Sequence, residues 1–475
     1  MSGKLISTRD RDGEAFPYTD VLLAGLAPDG GLYVPTEYPN LSLEVLSELK
    51  DKPYFKLAFE IKKLLVGDSI PEEELERMVQ NAYESGGFAV SDGNTVPIRL
   101  IGKGVFLENL SLGPTASFKD MALQQLGQEM EYELDVRGED LVILGATSGD
   151  TGSSAEAAVK GLDRIKLFML SPEEGMSDFQ KAQMGALTGG NVFNISIRGR
   201  FDDCQDLVKE IKRDPEFSRL GAVNSINWGR ISSQVPYFVS GYLQAVTRVG
   251  QEVDFVVPTG NFGNVLSGYI AKRMGLPIRK LIVATNENDV VAKLIDTGVY
   301  ETSPAQITSS PSMDISKASN YERLAFDILS RDPEKVLRYM DEFAEKGRVD
   351  MADYGLDRSV FAQSGFFQGS STHSERVETI KRVYEETGSV IDPHTADAVT
   401  VAKRYKVDDS VPMVVMETAL PVKFESTVKE ALGFVPERES RFKGIEESCA
   451  GESGFYTMDP DIEELKGYIR ERLGF

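Results

Sequence analysis

The stretch LVILGATSGDTGSSAEAAV, Leu141 to Val159, decides the reading of the chain. LVILGA is apolar throughout and reads as a strand, TSGDTG follows as a turn, and SSAEAAV reads as the start of a helix. A strand without apolar–polar alternation expects cover on both faces, as in a parallel sheet flanked by helices. The pattern returns in KLFML at 166–170, VFNISI at 192–197, VDFVV at 253–257, KLIVAT at 280–285 and PMVVM at 412–416. Helices lie between these runs. Asp202 to Arg213, for example, puts Cys204, Leu207, Val208 and Ile211 on one face. The expectation is an α/β core with parallel-rich sheets.

On the N-terminal side, the turn chemistry of APDGGLYVP, Ala27 to Pro35, precedes three stretches with helical spacing at Leu43–Leu49, Tyr54–Val66 and Glu72–Tyr83. On the other side, the sheet pattern breaks between about 290 and 390 into helices and Ser/Gly-rich loops, SPAQITSSPSMDIS and FAQSGFFQGSS. After Gly433 the composition turns acidic and ends in a helix from about Pro460, with Ile462, Leu465, Ile469 and Leu473 on one face. This predicts a mostly helical domain over 1–95, an α/β core over 96–435 and an acidic extension over 436–475.

Composition removes several function classes. The 475 residues carry 52 Lys plus Arg against 75 Asp plus Glu, a net charge of −23, which argues against a nucleic-acid or anionic-membrane partner. Cys204 and Cys449 have no CxxC partner, and His373 and His394 are the only imidazoles, so no disulfide framework and no metal is expected. The N-terminal MSGKLISTRDRDG has no signal-like apolar core, and no run of about eighteen apolar residues occurs. A cytoplasmic protein is predicted.

Ligands of open α/β sheets bind at the carboxyl ends of the strands, so the loops after strands are the candidate sites. In Thr147 to Gly152, two glycines free the backbone, and Ser148, Asp150 and Thr151 flank the exposed amides of a helix N-terminus. That suits an anion such as a carboxylate; a plain Ser/Asp helix cap is the alternative. PTGNFGN, Pro258 to Asn264, likewise precedes a helix and could cradle a phosphate through amides and the helix dipole, or be a simple turn. GPTASFKD, Gly113 to Asp120, sets Lys119 among small and apolar residues, where lost hydration favours a nucleophilic amine; most lysines are surface charges instead. NSINWGRI, Asn224 to Ile231, brings Asn, Ser and Arg230 together, which fits anion binding or a structural ion pair.

Taken in order, GPTASFKD, GATSGDTG, FDDCQ, NSINWGRI, PTGNFGN and METALPVKFEST resemble the threonine synthase family of the long bacterial and fungal type. STRD, GLAPDGGLYVP and PSMDISKASNYERL at 311–324 look like that family too, so the likeness runs from about residue 5 to about 435. It implies a fold-type II, tryptophan synthase β-like enzyme: two α/β lobes plus an N-terminal, mostly helical domain. It also implies pyridoxal 5'-phosphate as cofactor and conversion of O-phospho-L-homoserine and water to L-threonine and phosphate, the last step of threonine biosynthesis. A dehydratase or phospholyase ending at a 2-oxo acid, and a non-catalytic relative that keeps the cofactor, are the rivals.

By the resemblance, Lys119 beside Phe118 holds the cofactor covalently and serves as general base and acid. Gly260, Asn261, Phe262, Gly263 and Asn264 cradle its phosphate, and the Thr418 hydroxyl meets its ring nitrogen. Thr147, Ser148, Gly149, Asp150 and Thr151 receive the amino-acid end of the substrate, while Asn224, Ser225 and Arg230 hold its phosphate. Long-type members imply a monomer. The family usually reads TAHP where this chain has Thr418, Ala419, Leu420 and Pro421, so no imidazole is available at position 420. His394, in IDPHTAD, is either structural or close to the substrate; Cys204 reads as core, and Trp228 as pocket wall or packing.

Overall fold

The computed structural model of the chain describes residues 3–90, 94–174, 176–217, 220–221, 225–406, 408, 410–446 and 454–474. β1 (Lys4–Ser7), β2 (Phe16–Pro17) and β3 (Tyr33–Pro35) form a small antiparallel sheet at the start. β4 (Ile98–Gly102) and β5 (Val105–Asn109) pair antiparallel, and β6 (Leu141–Ala146), β7 (Ile165–Pro172) and β8 (Val192–Ile197) follow as a parallel set. β9 (Val253–Pro258) and β10 (Ile278–Thr285) open a second parallel set. β11 (Val299–Glu301) and β12 (Arg348–Asp350) pair apart from it, and β13 (Phe366–Ser370) and β14 (Met413–Glu417) complete it. β15 (Phe455–Met458) is the last strand.

The large sheet has the order β13-β10-β9-β14-β5-β4 and is parallel apart from β4; the small one, β15-β8-β7-β6, is parallel throughout. These are the two expected lobes. Every residue of β9 and β14 is buried, as strands covered on both faces must be. β6 and β8 span the residues read from the sequence, and the helices Leu43–Leu49 and Tyr54–Val66 do as well. The third N-terminal helix is α-helical over Glu72–Gln80 and continues as a π-helical turn, Asn81–Ser85. Among the described residues no helix is long and apolar enough to cross a membrane.

Two expectations need correction. The region read as loops and helices alone contributes β13, which forms the edge of the large sheet. Its FFQGS follows a Gly-rich stretch and is too short for its apolar pair to stand out. The acidic extension, moreover, is built into the small lobe: β15 pairs parallel with β8, and the helix Ile462–Leu473 buries Leu465 and Ile469 in one cluster with Leu144, Phe168, Ile195 and Cys204. The segment 1–95 likewise shares its core with the large sheet, since Leu5, Tyr18 and Leu57 lie in one cluster with Phe255 and Val257 of β9.

A buried polar joint fixes the N-terminal segment. Lys62, fully buried, lies 2.9 Å from Glu129 of the helix Lys119–Arg137 and donates to Ser232 and Ser233 at 3.0 and 3.1 Å. Burial pulls its ammonium toward the neutral form and Glu129 opposes that. Removing one partner of such a pair strands the other charge in the interior. Lys62→Met is therefore expected to cost about 3–5 kcal/mol in urea unfolding, and Lys62→Met with Glu129→Gln distinctly less.

Candidate active site

Lys119 is the first residue of the helix Lys119–Arg137. The turn before it is laced to the loop after β14: Phe118 N–H donates to the Thr418 carbonyl at 2.9 Å, and Leu420 N–H to the Ala116 carbonyl at 3.1 Å. Asp120 closes that turn from inside by accepting from Thr115 N–H at 2.8 Å and from its hydroxyl at 2.6 Å. The Lys119 side chain is 12% exposed, and its Nζ stands 3.5 Å from Asp150 Oδ2. Burial pushes the Lys119 amine toward the uncharged form; Lys423 and Arg230 add to this, and Asp150 opposes it.

β9 ends at Pro258, and the chain then turns into the helix Gly263–Met274 through Phe262, which adopts φ +67°. A side chain at Gly260 would come within 3.0 Å of the Ser312 carbonyl, so this turn is closed from behind by the segment around Ser312. Asn264, buried in the first turn, accepts from the Tyr237 hydroxyl at 2.8 Å, while its Nδ2 has no partner. Phe118, Lys119, Gly260, Asn261, Phe262, Gly263, Asn264 and Thr418 line one cavity. Helix-terminal amides, glycine and an unpartnered buried amide N–H make a fitting cup for the phosphate of pyridoxal phosphate beside a desolvated lysine.

Thr151, Ser225 and Arg230 line the same cavity. The helix after β6 begins at Asp150, earlier than the SSAEAAV reading, so Asp150 and Thr151 belong to its first turn. Thr147 Oγ1 accepts from the Gly149 and Gly152 amides at 3.1 and 2.9 Å, which commits it to shaping the turn. Ser148 is exposed and Gly149 holds φ +146°; among the described residues only Thr151 of this loop lies on the cavity wall. Asp150 reaches the site through Lys119. Its Oδ1 takes Lys423 at 2.9 Å and Gln180 at 3.0 Å, and its Oδ2 takes the Ser312 hydroxyl at 3.0 Å. Burial works against the carboxylate, but Lys423 and Lys119 outweigh it and hold Asp150 well below the usual range.

Arg230, in the short helix Trp228–Ser232, is 4% exposed, and its Nη1 has no hydrogen-bond partner. Burial pulls its guanidinium down to about 10. Ser225 Oγ lies 3.0 Å from Ser319 Oγ, and Asn224 falls outside the described residues. Trp228 is buried beneath this helix, with the Arg323 guanidinium 5.8 Å from its ring centre, and Cys204 is core.

Sequence reasoning missed three participants. Ser312 and Lys423 stood inside quoted motifs without an assigned part, and Gln234 gave no signal. His394 is on the cavity wall: its Nε2 accepts the Ser312 amide at 3.0 Å and its Nδ1 faces Asp392 at 2.8 Å, which assigns the proton to Nδ1. Leu420 packs with Ala116, Phe179 and Phe442 and lies off the cavity wall, so the missing imidazole falls in an apolar cluster.

Three family models match the chain in sequence: threonine synthase N terminus over residues 4–83, pyridoxal-phosphate dependent enzyme over 94–357, and threonine synthase C-terminal over 395–469. A threonine synthase of Corynebacterium glutamicum is 48% identical over 98% of both chains, and one of Methylobacillus glycogenes is 46% identical over 99% of this chain and 100% of that one. The crystal structure of a threonine synthase from Brucella melitensis with pyridoxal phosphate bound superposes with a TM-score of 0.92 at 40% identity, covering 98% of this chain and 99% of that one. Likeness of this extent, across all three segments, means that the chain belongs to the threonine synthase family of pyridoxal-phosphate-dependent enzymes.

Proposed function

We propose that this cavity converts O-phospho-L-homoserine and water to L-threonine and phosphate, with pyridoxal phosphate held at Lys119, as the last step of threonine biosynthesis. The observation that carries this reading is the Arg230 guanidinium, buried on the wall of the Lys119 cavity with no partner for its Nη1 among the described residues. A desolvated cation of this kind calls for an anion, and a phosphate ester matches a guanidinium bidentately. The first amides of the helix Gly263–Met274 and the Asn264 side chain suit a second phosphate, that of the cofactor, with Gly260, Asn261, Phe262 and Gly263 around it. Two anion sites flank one lysine.

When bound, the cofactor supplies an electron sink for charge developing on the substrate carbons. Lys119 Nζ removes the proton from the substrate Cα and moves the proton at Cβ, because a tethered amine reaches both. Arg230, with Ser225 and Asn224, holds the ester phosphate and keeps it in place as it leaves Cγ. The N-terminal turn of the helix Asp150–Val159, through its amides and the Thr151 hydroxyl, receives the substrate carboxylate. Thr418, a neutral hydroxyl at the end of β14, is the partner for the cofactor ring nitrogen. The segment 96–435 carries all of these residues, and 1–95 and 436–475 brace it. We place the reaction in the cytoplasm and in a chain acting as a monomer, without nucleic-acid partners.

Purified protein given pyridoxal phosphate should acquire the absorbance of a lysine-linked cofactor and release phosphate from O-phosphohomoserine with threonine as product. A 2-oxo acid in place of threonine, or no phosphate release, would refute the assignment. Lys119→Ala should lose that absorbance and at least about 100-fold in turnover. Arg230→Ala should raise KM for the phosphorylated substrate about 10- to 100-fold with the cofactor absorbance intact; an unchanged KM would count against the phosphate site. Because burial lowers the proton affinity of Lys119, its base form is present above that midpoint and lost as pH falls through it. The acidic limb of kcat, which reports groups in the substrate complex where the Lys119 amine is free, should thus lie below the ordinary lysine range, and a limb within that range would exclude Lys119 as the base.

A further inference from the structure

Beneath the cavity wall lies a second lysine that the reaction scheme does not use. Lys423, in the turn Pro421–Phe424, has a fully buried side chain. Its Nζ donates to the Thr115 carbonyl at 2.8 Å, to Gln183 Oε1 at 3.3 Å and to Asp150 Oδ1 at 2.9 Å. Three acceptors account for the three N–H bonds of an ammonium group. Lys119 is placed differently: among the described residues its Nζ has one acceptor, Asp150 Oδ2, at 3.5 Å. The two lysines compete for one carboxylate, and Lys423 holds the closer position.

We propose that Lys423 is a positioning residue for the reaction read above: it engages the Asp150 carboxylate so that Asp150 cannot act as a full counter-ion to Lys119, and the Lys119 amine is thereby kept uncharged and nucleophilic. The other contacts of Asp150 serve the same end. Gln180 shares Oδ1 with Lys423, and the Ser312 hydroxyl shares Oδ2 with Lys119, so every side of the carboxylate is occupied and it cannot swing toward Lys119. The charged groups acting on Lys119 are Asp150 from the helix Asp150–Val159, Lys423 from the turn after β14 and Arg230 from the helix Trp228–Ser232. His394 faces the same carboxylate from the helix Pro393–Tyr405. Asp120, buried in the first turn of the helix Lys119–Arg137, acts on Lys423 and not on Lys119. Lys423 thus has two carboxyl groups acting on it where Lys119 has one, and the lysine with the poorer contacts is the one to give up its proton.

The test reads Lys119 directly and does not depend on turnover, so it separates this proposal from the substrate assignment. The full-length chain, freed of cofactor, is acetylated across a pH series, and modification of Lys119 is followed by peptide mass spectrometry. Lys423→Met should move the midpoint for Lys119 upward by about one unit, a tenfold loss of free amine at fixed pH, and Lys423→Arg should restore it. Asp150→Asn, which stays nearly isosteric, should move the midpoint downward, and adding Lys423→Met on that background should raise it by less than Lys423→Met does alone. An unchanged midpoint in Lys423→Met, an unchanged midpoint in Asp150→Asn, or an equal Lys423→Met shift on both backgrounds would overturn the proposal.

Discussion

The carboxylate of Asp150 is the point on which the two lobes and the cavity depend. It belongs to the first turn of the helix after β6, in the small lobe, yet it binds Lys423 from the turn after β14 and Ser312 from the segment behind the Gly260 turn, both on the large-lobe side. One side chain therefore ties together the two sheets and the wall behind the anion cup, and it faces the reactive lysine as well. Ser312 extends the tie, because its amide binds His394, whose ring is held by Asp392. A chain of hydrogen bonds thus links the helix Pro393–Tyr405 to Lys119 through groups that all line or underlie the cavity.

The same elements explain what could be read from the sequence and what could not. Strands buried on both faces announce themselves as unbroken apolar runs, and β6, β8, β9 and β14 appeared where such runs lie. β13 (FFQGS) and β15 (FYTM) lack an unbroken apolar run, so neither has that signature; each is defined by the strand it pairs with, which local pattern does not reveal. In the site, glycine turns before helices pointed to two loops that the fold sets on the wall of the Lys119 cavity. Arg230 and Lys119 stood out through motif order. Lys423 did not, because an isolated lysine in sequence looks like a surface charge, and only the fold puts it beside Asp150. Thr147 and Ser148 show the opposite limit: both carry suitable hydroxyls, but the early start of the helix turns one inward to the loop and leaves the other exposed.

The N-terminal segment is more than a lid on the core. Lys62 touches both the helix that starts with Lys119 and Ser232 and Ser233, at the end of the short helix that carries Arg230, so two side chains of the cavity wall on separate helices are referenced to one buried ammonium. The Ser232 and Ser233 hydroxyls to which Lys62 donates in turn donate to the Gly229 carbonyl at 3.0 and 2.8 Å, so the ammonium holds the end of the helix Trp228–Ser232 through side chains. This accounts for a buried ion pair where an apolar contact would pack as well: the pair sets orientation.

The position of β15 has a consequence for how the chain is made. Its pairing partner β8 is synthesised more than half the chain earlier, and the small-lobe cluster is capped by Leu465 and Ile469 near the carboxyl end. During vectorial synthesis, β6, β7 and β8 emerge with the β8 edge open and one face covered only in part, by the helix Phe201–Ile211, and they stay so until residues 455–473 have been made. The small lobe thus begins after β4 and β5 of the large sheet and is completed after β14, the last strand of that sheet, and a chain ending before residue 455 would retain the cavity's side chains while exposing an unpaired parallel edge beside them.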